Sequence, residues 1–385
     1  MLTKTLLIFI LLGASALAGC IGPRGWPATQ IAGDTLFVGT MTGNVSALDP
    51  VRGTTKWVWG PKTQPGNGPG LISQLGNISS GNITGSFLSC SQGDTGQFRA
   101  GYLYGAPAVS NGTVYIGYQT GAVYAINAAN GTEVWDLDIK SNIAAGLAVA
   151  NDTVFIGSSN GKLSALDAGN GSLKWEFSTQ NEVWATPAVV DGVVYFGSID
   201  HSLYALSSSD GTKKWAFEAS GGIASTALVV EGVVYIGSFD KKFYAITADT
   251  GTLKWTFDKA GGWFWSQAAY DIGTIYACSL DHNVYALDAL NGTPAWPVPF
   301  KASAAVKSSP VIAGGVLVVA SEDGKIYGID LKTGGKKWES DRIKAKVLSS
   351  LCAAGGTVYI NSQDNRLYAL DAESGREVWG ITLSK

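Results

Sequence analysis

The side chains able to do chemistry are few in this chain, and most of them recur at one spacing. Its two histidines, His201 and His282, each follow an aspartate, Asp200 and Asp281. Asp240, Asp323 and Asp364 continue the series at intervals of 40 to 42 residues, and Thr42, Thr120 and Asn160 hold the same place earlier in the chain. A ring of carboxylates would attract cations, and two histidines would bind a metal ion only if further ligands converged on them. The same residue types also satisfy the backbone of tight turns, because Asp, Asn and Thr accept hydrogen bonds from nearby amides. Turn chemistry is the simpler account of the whole series.

Four cysteines, Cys20, Cys90, Cys278 and Cys352, are spread along the chain with no two adjacent. Lipidation of Cys20 would leave an odd number, which argues against a disulfide framework. Cys278 and Cys352 read as small buried hydrophobes, and Cys90 as the one free to pair or react. Five tryptophans stand apart from the repeat described next: Trp26, Trp59, Trp184, Trp263 and Trp265. Aromatics carried on loops can stack a planar ligand, a sugar or a partner's apolar side chains, or they can fill a channel as core.

The elements that position these residues are set by a repeat. An undecapeptide ending in tryptophan occurs eight times, from ALDPVRGTTKW (Ala47 to Trp57) to ALDAESGREVW (Ala369 to Trp379). Its tryptophans are Trp57, Trp135, Trp175, Trp215, Trp255, Trp296, Trp338 and Trp379, separated after the first interval by 40, 40, 40, 41, 42 and 41 residues. A strand-rich unit with a period near forty is a blade of a β-propeller, built from about four short strands. In the fourth unit the strands fall at about 187–190, 193–198, 203–206 and 214–218, with turns at Asp191-Gly192, Asp200-His201 and Ser209-Asp210-Gly211. Asp-Gly and Asn-Gly supply the positive φ that tight hairpins need. The fold class is therefore all-β: an eight-bladed β-propeller of four-stranded antiparallel blades. Each repeat tryptophan is expected to clamp neighbouring blades, its indole lying near the glycine that ends the second strand (Gly39, Gly117, Gly157, Gly197, Gly237) and its N–H meeting a backbone carbonyl. Eight complete units leave no spare strand for an interlocked closure, so either blades one and eight close the ring by face packing or blade one is displaced by a strand.

Lys4, the apolar run from Leu6 to Leu17 and the tetrapeptide Leu17-Ala18-Gly19-Cys20 follow the order of a secretory signal. The tetrapeptide resembles a lipobox, so 1–19 is expected to be a cleaved lipoprotein signal peptide, Cys20 the lipidated residue and 20–385 a single propeller domain. The interval from Trp57 to Trp135 is 78 residues, and the excess forms a Gly-, Ser- and Asn-rich insertion at about 60–101 between blades one and two. A net charge of -3 and only 15% charged residues give no basic surface for nucleic acid.

The pattern AxDxxxGxxxW resembles the tryptophan-docking motif of the quinoprotein, or PQQ-repeat, propeller superfamily, over essentially the whole chain after Cys20. A lipid-anchored propeller with no further domain is most similar to the BamB-like outer-membrane assembly lipoproteins. That resemblance implies a non-catalytic interaction scaffold without cofactor or metal, anchored at the cell envelope by lipid alone, whose partner is another envelope protein or a peptide segment. Alternatives are a PQQ-dependent dehydrogenase, whose relatives carry an adjacent cysteine pair and a calcium site, and a carbohydrate-binding propeller. Connections from the fourth strand to the next blade should emerge on the same face as the Asp200-type turns. That face is expected to bind, with Trp184, Trp263, Phe264, Trp265, Phe98 and Arg99 as contacts and Phe87 beside them.

Overall fold

The computed structural model describes residues 28–61 and 101–383. They form eight four-stranded antiparallel sheets, each with its strands in sequence order. We call the strands A to D from the axis outwards. The blades span 29–59, 108–138, 148–178, 188–218, 228–257, 269–301, 311–340 and 352–382. In blade four, strand A is Ala188–Val190, B is Val193–Gly197, C is Ser202–Ser207 and D is Lys213–Glu218, within a residue or two of the boundaries read from turns.

Strands B and C are almost wholly buried, because each sheet is sandwiched between two neighbours, while the Lys- and Glu-rich strand D is largely exposed. The core consists of interfacial clusters between successive blades, such as the one joining Tyr195, Leu203 and Trp215 to Val234, Ile236 and Tyr244. In seven blades the C–D pair shifts register once, beside the repeat's Ala-Leu, Ala-Ile or Gly-Ile step. Blade six differs: Pro294, Pro297 and Pro299 remove ladder donors, and its strand D shrinks to Phe300–Lys301.

The repeat tryptophans clamp the blades as expected. Each indole N–H donates to a backbone carbonyl of the next blade, from Trp57 to Ala128 at 2.9 Å and Trp215 to Ala248 at 2.8 Å. The surface they rest on is not the expected one. Each indole lies on the turn glycine of the next blade's own undecapeptide: a Cβ at Gly211, where φ is +73°, would come within 2.6 Å of Trp175. The strand-B glycines are instead covered by the D–A connection that follows, Gly157 by Val183, Gly197 by Ile223 and Gly237 by Phe264. A strand-B tyrosine reinforces several clamps by donating to the same carbonyl as the tryptophan, as Tyr195 does at Ala248 and Tyr235 at Ala289. Complete burial of one indole contributes roughly 4–6 kcal/mol as an upper bound.

The ring closes by face packing, with no strand exchanged between blades one and eight. Trp379 and Tyr359 of blade eight both donate to Pro50 in blade one, at 3.1 and 3.0 Å. The Asn361 amide donates to Gly39 at 2.8 Å, and Leu36, Val38 and Leu48 pack on Leu367 and Ala369.

Candidate funnel at the mouth of the central channel

The B–C turns and the D–A connections share one face. The turn amide bonds a carbonyl of the connection in blade after blade, for example Ile199 to Glu182, Phe239 to Gly222 and Leu280 to Trp263, each at 2.9 Å. Strand register then brings one residue from the segment before each of blades two to eight to an equivalent place: Tyr104, Ala144, Trp184, Ala224, Trp265, Lys307 and Leu348. Apart from Ala144 and Ala224, each of them is a side chain large enough to narrow the channel. Together they ring a cavity of 790 Å³ whose deeper wall is strand A, including Val149, Val311 and Cys352.

Trp184 and Trp265 line this cavity. Trp263 points to the rim, 43% exposed, and stacks on Phe239 at 4.7 Å. Phe239 stacks in turn on Trp265 at 5.2 Å. From the next blade, the Lys307 ammonium sits 4.0 Å from the Trp265 ring centre, a cation–π contact. Burial pushes the Lys307 amine below its usual pKa, with nearby Lys346 adding to the effect and Glu322 opposing it. Phe264 does not belong to the contact surface. It is fully buried, covering Gly237 and meeting Phe243 edge-on, because alternation along Trp263-Phe264-Trp265 turns its ring inward. Trp59 is core as well, packed on Tyr124 at 4.9 Å. Phe87, Phe98, Arg99, Trp26, Cys20, Cys90 and most of the insertion lie outside the described residues.

The aspartate series is spent on turns. Asp200, Asp240, Asp281, Asp323 and Asp364 each accept the amide two residues on. Four of them also accept a tyrosine hydroxyl from strand C, as Asp281 does from Tyr285 at 2.6 Å. Three accept an amide from the D–A connection as well. Burial works to raise the Asp281 pKa, but the hydrogen bonds from Tyr285, Asn283 and Gly261 outweigh it and hold the carboxyl below the usual range. His201 and His282 adopt φ of 77° and 75° in these turns, a place that Gly161 and Gly324 fill in other blades. Among the described residues no three His, Cys, Asp or Glu side chains gather as metal ligands.

Residue-type reasoning passed over Lys307, Phe239 and Ser266. Counting back from strand A would have found Lys307, since it occupies the place of Trp184 and Trp265.

The sequence profile of the family described as outer membrane protein assembly factor BamB matches residues 119–256 and 240–385. The chain belongs to that family. Among solved structures, BamB from Moraxella catarrhalis is similar at 18% identity and a TM-score of 0.67, over 90% of this chain and 93% of that one. The computationally designed Ika8 protein is similar at 16% identity and a TM-score of 0.70, over 91% and 97% of the two chains. The quinohemoprotein alcohol dehydrogenase ADHIIG from Pseudomonas putida HK5 gives 16% identity and a TM-score of 0.61, over 72% of this chain and 66% of that one. At these identities the likeness concerns the propeller alone, shared by an assembly factor, a designed protein and an enzyme. No curated protein sequence matches.

Proposed function

We propose that this BamB-family propeller is a non-catalytic scaffold, lipid-anchored through Cys20 on the outer side of a membrane, that binds an envelope protein by the funnel face. In a host with an outer membrane, assembly of envelope proteins is the role this reading favours. The observation that carries it is the Trp263–Phe239–Trp265 stack on a rigid rim. It offers exposed aromatic surface beside a cation on a scaffold that need not reorganise on binding, as interface anchors require.

The residues of the cavity suit a quinone cofactor poorly. Trp265 is engaged by Phe239 from blade five and by Lys307 from blade seven, and Glu182 is the one carboxylate among the described lining residues. The scaffold reading is tested by placing a photo-crosslinking residue at Trp263 in the full chain. A second is placed at Ile272, 91% exposed in an A–B turn on the opposite face. Specific adducts with one envelope protein from Trp263 and not from Ile272 are expected. Adducts from Ile272 alone, or stoichiometric PQQ binding with Ca²⁺-dependent alcohol oxidation, would overturn it.

A further inference from the structure

The wall of the cavity between blades six and seven differs from the rest in a way that the clamp and turn roles leave unexplained. In blades five, seven and eight, a serine one place after the funnel residue ties the connection to the end of strand B. Ser225 donates to Gly237 at 2.8 Å, Ser308 to Ala320 at 2.9 Å and Ser349 to Asn361 at 3.1 Å. Ser266 holds the same place in blade six, lines the cavity, and has a buried Oγ with no hydrogen-bond partner. The equivalent serines spend their hydroxyls on strand B, whereas the Ser266 hydroxyl is left to pair with another acceptor. Beside it stand Trp265 and the Lys307 ammonium, the one cationic side chain among the described lining residues. Ser309 and Ser350, paired at 3.0 Å, add hydroxyls further round the wall.

We propose that the corner formed by Ser266, Trp265 and Lys307 is a carboxylate-binding subsite, taking a monoanionic carboxylate attached to an apolar body that lies along the channel wall. A single ammonium with hydroxyl donors matches a monocarboxylate's charge and acceptor count, whereas a phosphate dianion calls for an arginine fork or several cations. The apolar body follows from Trp184, Val149, Val311 and Leu348 on the remaining wall. Glu322, which faces Lys307 from the neighbouring B–C turn, is itself 3.9 Å from Lys346, so two cations share its charge. The inference rests on the reading of the funnel as the binding face. A free aryl or alkyl carboxylate and the C-terminus of a chain segment present the same chemistry.

Titration calorimetry on the full chain with N-acetylphenylalanine and its amide, and with an octapeptide ending in phenylalanine as acid and amide, tests this. The acids are expected to bind at least tenfold more tightly than the amides, the size of one charge-assisted hydrogen bond. Lys307→Met should abolish that preference and Lys307→Arg largely keep it, with thermal unfolding showing both variants folded. An octapeptide acid binding tenfold tighter than the short acid would identify a chain end, and equal affinities a free carboxylate. Equal binding of acid and amide, absence of acid binding at millimolar concentration, or a preference that survives in folded Lys307→Met would overturn the subsite. Retained partner crosslinking from Trp263 in Lys307→Met would then show that the scaffold reading stands without it.

Discussion

Trp379 in the last blade donates its indole N–H to Pro50 in the first at 3.1 Å and lies over Gly53, so that a Cβ there would sit 2.8 Å from the indole. Every other junction between blades is also crossed by the chain itself; this one is held by side chains and packing alone. Gly53→Ala should therefore open the ring at one place. It introduces a side chain at φ +70° and displaces the indole, for a combined cost of about 2–4 kcal/mol. Hydrogen exchange should rise first in blades one and eight, with the other blades following only at the global transition. Uniform exchange across all eight blades would mean that the seam is no weaker than the rest.

Adjacent residues in one connection should separate binding from stability. Trp263 is 43% exposed and Phe264 fully buried. Trp263→Ala is expected to cost under about 1 kcal/mol in urea unfolding while reducing partner capture at least tenfold. Phe264→Ala leaves a cavity against Phe243 and should cost about 3–5 kcal/mol. Loss of capture without loss of stability in a conservative Phe264→Leu variant would contradict this division.

The hydrogen bond from Tyr285 to Asp281 gives a pH signature. The folded pKa of Asp281 lies below its ordinary value of 3.8. Its contribution is therefore present above that value and disappears as pH falls through the folded pKa. Tyr285→Phe removes one of the bonds that depress it, so the stability gap between wild type and variant should be full at pH 7 and shrink below about pH 4. A gap of the same size at pH 2.5 would assign the tyrosine's effect to packing alone. At the alkaline end, burial and the bond to Asp200 push Tyr204 up to about 12. Protection of its neutral form is complete below the unfolded value near 10 and is lost between there and its folded pKa. Its phenolate absorbance should appear only in that upper range.

The blade count, the strand boundaries and the clamping role of the tryptophans were legible because they depend on local pattern: turn glycines, alternation and a period near forty. The face shared by B–C turns and D–A connections was legible too, since it follows from strand order. What the indoles rest on was not, because two glycines per blade compete for that role and only the relative rotation of neighbouring sheets decides between Gly211 and Gly197. Phe264 was misjudged for a related reason: between two tryptophans it looks like part of a patch, yet alternation sends it to the core. Lys307 escaped notice because its importance comes from Trp265, 42 residues away in sequence and one blade away in space.

The two glycine classes can be told apart by substitution. Gly211→Ala forces a side chain into φ +73° and against Trp175, and should cost about 2–4 kcal/mol. A Cβ at Gly197 would overlap both the side chain and the carbonyl of Ile223, which cannot withdraw without moving the connection, so about 1–3 kcal/mol is expected. At Gly117 the obstructing atoms are the flexible ends of Ile143 and Leu147, at 3.0 and 3.1 Å, and the cost should fall below about 1 kcal/mol. Urea unfolding of the three variants at neutral pH should therefore rank Gly211→Ala as most destabilised and Gly117→Ala as least. If Gly117→Ala proved as damaging as Gly211→Ala, the indoles would have to be resting on strand B after all.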